Sequence, residues 1–190
     1  MSDNTLYRLN KFISDTGFCS RREADRLIES GAVTINGVVA SVGTKVSVED
    51  QVLIDGKPLK DKPKRVYLAY HKPVGIDCNV RPDDPHSIAP LLQQLPPGVF
   101  AVGRLDKDSC GLLLLSNDGA FAQRLLHPAQ QHQKTYRVQV DQAVSNSMLQ
   151  QLQQGLRYQA GPQWIEARPC LAELRGPTQL ELTLTEGKNR

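Results

Sequence analysis

Three aspartates lie within one stretch that could supply a reactive carboxylate, VFAVGRLDKDSCGLLLLSNDG at residues 99–119. Asp106 and Asp108 fall in a polar turn between two apolar runs, and Asp118 follows the second run. A carboxylate on a loop that a rigid scaffold holds can act as a nucleophile or as a general base. The stretch therefore contains three candidates for such a group.

Asp106 has the most suggestive neighbours of the three. The sequence predicts that one strand ends at Gly103 and that the next begins at Gly111, which places Asp106 where a loop leaves the core. Arg104 and Lys107 flank it, and a nearby cation favours the charged form of a carboxylate. A turn aspartate that caps its own backbone is nevertheless more common than a catalytic one, so local chemistry leaves all three candidates open.

The elements ahead of this loop begin with two short helices. The first is predicted from apolar residues at helical spacing up to Gly17, namely Leu6, Leu9, Phe12 and Ile13. In the second, Ser20 and Glu23 fit a capping box, and Gly31 ends the helix. Its apolar stripe is formed by Ala24, Leu27 and Ile28.

Short strands follow the helices. The runs AVTING, GTKVSV and QVLIDGKPL are typical of strands, and Asn36-Gly37 and Asp55-Gly56 favour two-residue hairpin turns. Residues 60–65, KDKPKR, have nothing to bury and are typical of a linker. We therefore predict a small domain at residues 1–62 and a second domain at residues 63–190.

The second domain is predicted to be α+β and mainly antiparallel. Its strands are VYLAYHKP, VFAVGRLD, GLLLLSND, TYRVQV and QLELTLTE. A short helix is predicted near 119–126 and a polar helix near 142–154.

Five cations on or between the first two helices could share one face: Arg8, Lys11, Arg21, Arg22 and Arg26. Such a cluster suits contacts with RNA phosphates. Asp15, Glu23, Asp25 and Glu29 dilute it, and the whole chain carries 23 Lys and Arg against 20 Asp and Glu, for a net charge of only +3. Composition alone therefore gives RNA binding about even odds against a solvated helix surface.

The composition also limits the class of protein. The chain has no secretory signal and no run of apolar residues long enough for a membrane span, which predicts a soluble, cytoplasmic protein without a membrane partner. Its four cysteines are scattered singly, and we expect reduced, mostly buried thiols rather than zinc ligands or disulfides.

Two sets of motifs resemble known RNA-binding families. Residues 7–55, with SRREA and VTING at the expected spacing, resemble the small αL RNA-binding domain named after ribosomal protein S-four. GRLDKDSCGLLLLSNDG, KPVGI at 72–76 and HPAQQHQKTYRVQV at 127–140 resemble the RsuA/RluF-type ribosomal RNA pseudouridine synthases. Together these resemblances cover nearly the whole chain.

The resemblance assigns roles to individual residues. It implies that Asp106 is the catalytic carboxylate and that Tyr136 packs on the target base. Arg104 either pairs with Asp106 or contacts the RNA backbone, and Lys134 either contacts phosphate or is a surface charge. The reaction needs no cofactor or metal, and the carboxylate acts as a nucleophile or abstracts a sugar proton.

The expected partner is ribosomal RNA, with a large-subunit site favoured and transfer RNA as the other possibility, and we expect a monomer. The family's last motif continues beyond EGKNR to a basic residue that pairs with the catalytic aspartate, whereas this sequence stops at Arg190. We therefore expect a shortened chain of an active parent enzyme. The alternative is a non-catalytic RNA-binding or ribosome assembly factor.

Overall fold

The computed structural model describes residues 5–185, so the EGKNR end of the last motif lies outside the described residues. The chain divides into two compact units, Met1–Gln123 and Arg124–Arg190. No helix among the described residues is long and apolar enough to cross a membrane.

The first unit contains four helices and nine strands among its described residues. In chain order these are β1 (Tyr7–Arg8), α1 (Leu9–Asp15), α2 (Arg21–Glu29), β2 (Val33–Ile35), β3 (Val38–Val39), β4 (Lys45–Val46), β5 (Val52–Ile54), β6 (Lys57–Pro58), β7 (Tyr67–Lys72), α3 (Ala89–Leu92), β8 (Phe100–Val102), β9 (Gly111–Ser116) and α4 (Gly119–Leu126).

The predicted helix pair is present, with one correction at its start. Leu6 lies outside α1 and is exposed, because Tyr7 and Arg8 are extended and pair with β4 instead. The predicted cap of α2 is confirmed in part: the Oγ of Ser20 accepts from the Glu23 backbone N–H at 3.2 Å, while the Glu23 carboxylate pairs with Arg26.

Both predicted hairpin turns are confirmed in the four-stranded sheet, whose order is β3-β2-β5-β6. Asn36 and Gly37 have φ of 50° and 84°, and Asp55 and Gly56 have φ of 49° and 73°. Two positive φ values in succession define the turn that matches the twist of a hairpin. The sheet and the helices enclose one apolar core, formed by Leu9, Ile13, Ala24, Ile28, Val33, Val46, Val52 and Ile54.

A separate core lies under the antiparallel sheet β7-β9-β8. The linker between the two cores is exposed at five of its six residues, as predicted, but it is in contact with both of its neighbours. The Nζ of Lys62 lies 5.0 Å from the ring centroid of Tyr7 and 5.3 Å from that of Phe12. The Nδ2 of Asn117 donates to the carbonyl oxygen of Lys64 at 2.9 Å. The linker is therefore held by both of its neighbours, and a domain boundary near 62 stays a prediction.

The second unit contains a short 3-10 helix (Pro128–Gln130), β10 (Lys134–Gln139), α5 (Asn146–Gln154), β11 (Leu156–Ala160), β12 (Gln163–Ala167), β13 (Leu171–Gly176) and β14 (Gln179–Leu184). Its strands form the sheet β10-β14-β13 and the hairpin β11-β12, all antiparallel. The Oγ of Ser145 caps α5. The α+β prediction is confirmed, although β11, β12 and β13 were not predicted.

The expectation of mostly buried thiols is wrong. Cys78 is buried, but Cys19 and Cys170 are half-buried and Cys110 is exposed. Cys110 lies in the polar turn just ahead of β9. The tendency of free cysteines to be buried therefore did not predict the exposure of these four side chains.

Candidate active site

Asp106 lies on the exposed loop between β8 and β9. Gly103, with φ of 88°, directs the chain out of β8, and Gly111, with φ of 124°, returns it into β9. The loop makes a turn in which the Ser109 backbone N–H donates to the Asp106 carbonyl oxygen at 3.1 Å. The side chain of Asp106 is exposed. The strand, turn and strand predicted around it are therefore confirmed.

The backbone on each side of Asp106 is anchored to the segment that follows β7. The Leu105 backbone N–H donates to the Sγ of Cys78 at 3.4 Å. The Lys107 carbonyl oxygen accepts from the Gly75 backbone N–H at 2.8 Å. Because both adjacent residues are held, the position of Asp106 is set without any use of its own carboxylate.

A fully buried lysine supports the same loop. The Nζ of Lys72 donates to the carbonyl oxygens of Pro73 at 2.9 Å, Ile76 at 2.8 Å and Lys107 at 3.3 Å. A buried ammonium group needs such acceptors, since it has lost its water. The Lys72 side chain therefore lies inside the unit and ties the Asp106 loop to the end of β7. Lysine in a strand is ordinarily exposed, so the sequence contained no clear signal of this role.

Arg104 is exposed and contacts a residue that the sequence did not single out. Its Nη1 donates to the Oδ1 of Asn79 at 3.0 Å. Asp77 orients that amide, since its Oδ1 accepts from both the backbone N–H and the Nδ2 of Asn79 at 2.9 Å. Neither Arg104 nor Lys107 forms an ion pair with Asp106 among the described residues.

Asp77 is itself strongly held as an anion. The hydrogen bond from the Asn79 backbone N–H, together with the Asn79 amide and the charges of Arg81 and Lys107, lowers the pKa of its carboxyl below the usual value. Arg81 in turn pairs with both Asp77 and Asp84. The chain Asp77–Asn79–Arg104 therefore gives the Arg104 guanidinium a defined position beside the Asp106 loop.

Asp118 has a different environment, although the sequence left it as an equal candidate. Its Oδ1 accepts from the backbone N–H groups of Ala120 at 3.0 Å and Phe121 at 3.1 Å, which caps α4. Its Oδ2 accepts from the hydroxyl of Tyr67 at 2.8 Å and lies 3.4 Å from Arg65. Both oxygens are occupied, so Asp118 is a structural group.

Tyr136 and Lys134 lie in the second unit, on β10, which is the edge strand of its sheet. Tyr136 is half-buried and lies opposite Leu182 in the register, while Lys134 is exposed and lies opposite Leu184. Next to them, the hydroxyls of Thr135 and Thr183 are 2.8 Å apart.

The cations of the helix pair are mostly at the surface. Arg8, Arg21, Arg22 and Arg26 are exposed, and Lys11 is half-buried. Asp15 and Glu23 reduce the positive charge, as the sequence indicated, because Lys11 pairs with Asp15 at 2.6 Å and Arg26 pairs with Glu23 at 2.9 Å.

Comparison with known proteins decides the family. The model of the RNA pseudouridylate synthase family matches residues 66–190, and that of the S-four domain matches residues 8–52. The chain belongs to the RNA pseudouridylate synthase family. The prediction of an RNA-modifying isomerase with an RNA-binding module ahead of its synthase domain is therefore confirmed.

Several relatives of this family are similar over almost the whole chain. An uncharacterized RNA pseudouridine synthase of Aquifex aeolicus (strain VF5) is 40% identical over 95% of this chain and 74% of its own length. The ribosomal large subunit pseudouridine synthase B of Bacillus subtilis (strain 168) is 36% identical over 97% and 77%. The dual-specificity RNA pseudouridine synthase RluF of Escherichia coli (strain K12) is 34% identical over 100% and 64%.

The fold agrees with a solved structure of the same family. A crystal structure described as a pseudouridylate synthase superimposes with a TM-score of 0.59 at 28% identity, covering 95% of this chain and 78% of the other. The α+β synthase fold is thus supported by structure as well as by sequence.

Proposed function

We propose that this synthase isomerises one uridine of large-subunit ribosomal RNA and that Asp106 is its catalytic carboxylate. The observation that carries the proposal is the contrast between the anchored backbone and the exposed carboxylate of Asp106. The large-subunit target rests on the name of the Bacillus subtilis relative.

The reaction breaks the bond between N1 of uracil and C1′ of ribose, rotates the base, and joins C5 to C1′. The proton that leaves C5 is replaced by one on N1, so the product is an isomer and no oxidant or reductant is consumed. One carboxylate serves either of two routes: attack on the base or on C1′, or abstraction of a ribose proton. An exposed aspartate on a fixed loop suits both routes, because an extruded nucleotide can approach it from solvent.

The proposal gives roles in the reaction to Arg104, Tyr136 and Lys134 as well. A guanidinium held by Asn79 forks onto a phosphate of the RNA backbone next to the extruded base. For the second unit, the resemblance implies that the ring of Tyr136 stacks on the target base and that Lys134 contacts phosphate. Of the two roles expected for Arg104, the contact with Asn79 supports RNA binding rather than a pairing with Asp106.

The helix pair supplies the remaining RNA contacts in this proposal. Arg8, Arg21, Arg22 and Arg26 are exposed, and Lys11 can exchange Asp15 for a phosphate. Such contacts position the RNA without reading its sequence. We further propose that the enzyme acts as a monomer in the cytoplasm, where ribosomal RNA is available.

The test is a map of pseudouridines in ribosomal RNA from cells with and without this gene, made with carbodiimide adducts that stop primer extension. We expect one stop in large-subunit RNA to disappear with the gene and to return when the gene is restored. It should not return with Asp106→Asn. If every stop persists without the gene, the target is not ribosomal RNA, and transfer RNA becomes the substrate to map.

A further inference from the structure

The hairpin β11-β12 carries an exposed tryptophan that the proposed active site does not use. Trp164 leaves 59% of its surface exposed, whereas the next residue, Ile165, is buried with 7% exposed. Side chains alternate between the two faces of a hairpin, so Trp164 lies on the face opposite to that of the buried Ile165. The register places Arg157, Gln159 and Glu166 on the same face as Trp164, and all four residues are exposed.

The ring of Trp164 already holds a cation. The Cζ of Arg157 lies 4.9 Å from the ring centroid, which is within cation–π range. Arg157 is the diagonal neighbour of Trp164, because the register pairs Gln159 directly with Trp164. A guanidinium that stacks on a ring keeps the N–H groups at its edge directed outward, where they can bind a phosphate oxygen.

These groups together match the chemistry of an unpaired nucleotide. A base stacks on an exposed indole, its phosphate accepts from the guanidinium, and the Gln159 amide beside the ring can donate to and accept from a base edge. A fully paired duplex fits poorly, since its bases already stack on one another. Because the substrate of this family is RNA, such a surface has a ligand available.

We propose that Trp164 and Arg157 form a second RNA-binding site, where an unpaired base of the substrate stacks on the indole and its phosphate pairs with the guanidinium. The proposal rests on the RNA substrate of the family, but not on the roles given to Asp106, Arg104 or Tyr136.

Fluorescence tests this site directly, because Trp164 is the single tryptophan of the chain. The probe is an oligouridylate of about 12 nucleotides, a length within the range that single-strand-binding surfaces cover. Its binding is followed in parallel by the anisotropy of a dye at its end. We expect quenching of Trp164 that saturates together with the anisotropy, and little quenching by an RNA duplex of equal length. Tryptophan emission that stays unchanged as the oligouridylate is added would overturn the proposal, whether or not the RNA binds.

The same titration separates this site from the proposed catalytic one. Asp106→Asn should abolish isomerisation and leave the quenching unchanged. If the wild-type enzyme isomerises uridine but its tryptophan emission is not quenched, the second site alone is overturned. If Asp106→Asn is quenched normally and still isomerises uridine, the catalytic assignment alone is overturned.

Matched variants give an independent measurement. Trp164→Ala should weaken oligouridylate binding about 5- to 150-fold, which is the range for loss of one base–aromatic stack. Trp164→Phe, which keeps an aromatic face, should restore most of the affinity. Arg157→Gln should lower the dependence of log affinity on log salt concentration by about one, while Trp164→Ala leaves that slope unchanged. Wild-type affinity and salt slope in both Trp164→Ala and Arg157→Gln would contradict the proposal.

Discussion

Asp106 and Asp118 follow two strands of the same antiparallel sheet, and the structure holds them in opposite ways. At Asp118 the carboxylate itself is bound, by two backbone N–H groups of α4 and by the hydroxyl of Tyr67. At Asp106 the adjacent residues are bound instead, through the Leu105 N–H and the Lys107 carbonyl, and the carboxylate is exposed.

We propose that this difference separates a structural aspartate from a reactive one. A carboxylate whose oxygens accept several intramolecular hydrogen bonds is stabilised as an anion and has little capacity left for a substrate. A carboxylate whose backbone alone is fixed keeps both oxygens for the substrate and still has a defined position. Sequence spacing does not distinguish the two cases, because both aspartates follow apolar strands.

The largest effect on stability is expected at the support of the Asp106 loop. Lys72→Met removes the ammonium group, which donates to three carbonyl oxygens. The Lys107 oxygen keeps its bond from the Gly75 N–H, while the oxygens of Pro73 and Ile76 lose the donor that Lys72 supplies. We expect the free energy of unfolding to fall by about 3 kcal/mol or more, measured by urea denaturation. Lys107→Met is the control, because the Lys107 side chain is exposed and the residue contacts Lys72 through its backbone carbonyl, which the substitution keeps. Equal stability of the two variants would show that Lys72 does not support the loop.

A smaller loss of stability is expected at the cap of α4. Asp118→Ala removes the acceptor for two backbone N–H groups and for Tyr67, which should cost about 2 kcal/mol of unfolding free energy. The folded fraction should keep its activity. Asp108→Ala, in the exposed turn, should change stability by less than about 0.5 kcal/mol. An Asp118→Ala variant that is as stable as wild type but inactive would contradict the structural role of Asp118.

The contribution of Asp118 should also depend on pH. Burial raises the pKa of its carboxyl, but the hydrogen bonds from Phe121, Tyr67 and Ala120 and the charge of Arg65 outweigh burial, so the pKa is lowered. A lowered pKa stabilises the fold above the unfolded-state value of about 3.9, and this contribution disappears as pH falls through the folded-state pKa. The stability difference between wild type and Asp118→Ala should therefore be constant above about pH 5 and shrink below about pH 4. If the stability difference between wild type and Asp118→Ala grows as the pH falls, the pKa of Asp118 is not lowered in the folded state.

The smallest effect is expected at Asn79, which positions Arg104. Asn79→Ala removes one exposed hydrogen bond to the guanidinium. We expect kcat/KM to fall about 2- to 10-fold, with stability changed by less than about 0.5 kcal/mol. Asp83→Ala, another exposed change in the same segment, serves as the control. If both variants retain full kcat/KM, the contact with Asn79 does not position Arg104 for the reaction.

Local signals predicted the first domain well. The cap at Ser20 and the turns at Asn36-Gly37 and Asp55-Gly56 depend on residues a few positions apart. A short stretch of sequence is therefore enough to predict each of them. The start of α1 could not be predicted in the same way. Pairing between β1 and β4 removes Leu6 from the helix, and that pairing joins distant segments.

The second unit was harder to predict for a related reason. Strands β12 and β13 are largely exposed and β11 is partly exposed, so their apolar pattern is weak. For the candidate site, the resemblance pointed to Asp106, Arg104 and Tyr136, and their roles stay predictions. Their supports were missed, because the buried position of Lys72 and the contact between Asn79 and Arg104 arise only when the β7 and β8 segments meet.

The central claim is tested most directly by comparing Asp106→Asn with Asp108→Asn, two exposed positions in one loop. The measurement is single-turnover conversion of uridine to pseudouridine in the mapped ribosomal RNA fragment, with RNA affinity measured beside it. We predict that Asp106→Asn lowers the rate at least about a hundredfold and leaves affinity nearly unchanged, while Asp108→Asn keeps the wild-type rate. A wild-type rate in Asp106→Asn, or an equal loss of rate in both variants, would contradict the assignment of Asp106 as the catalytic carboxylate.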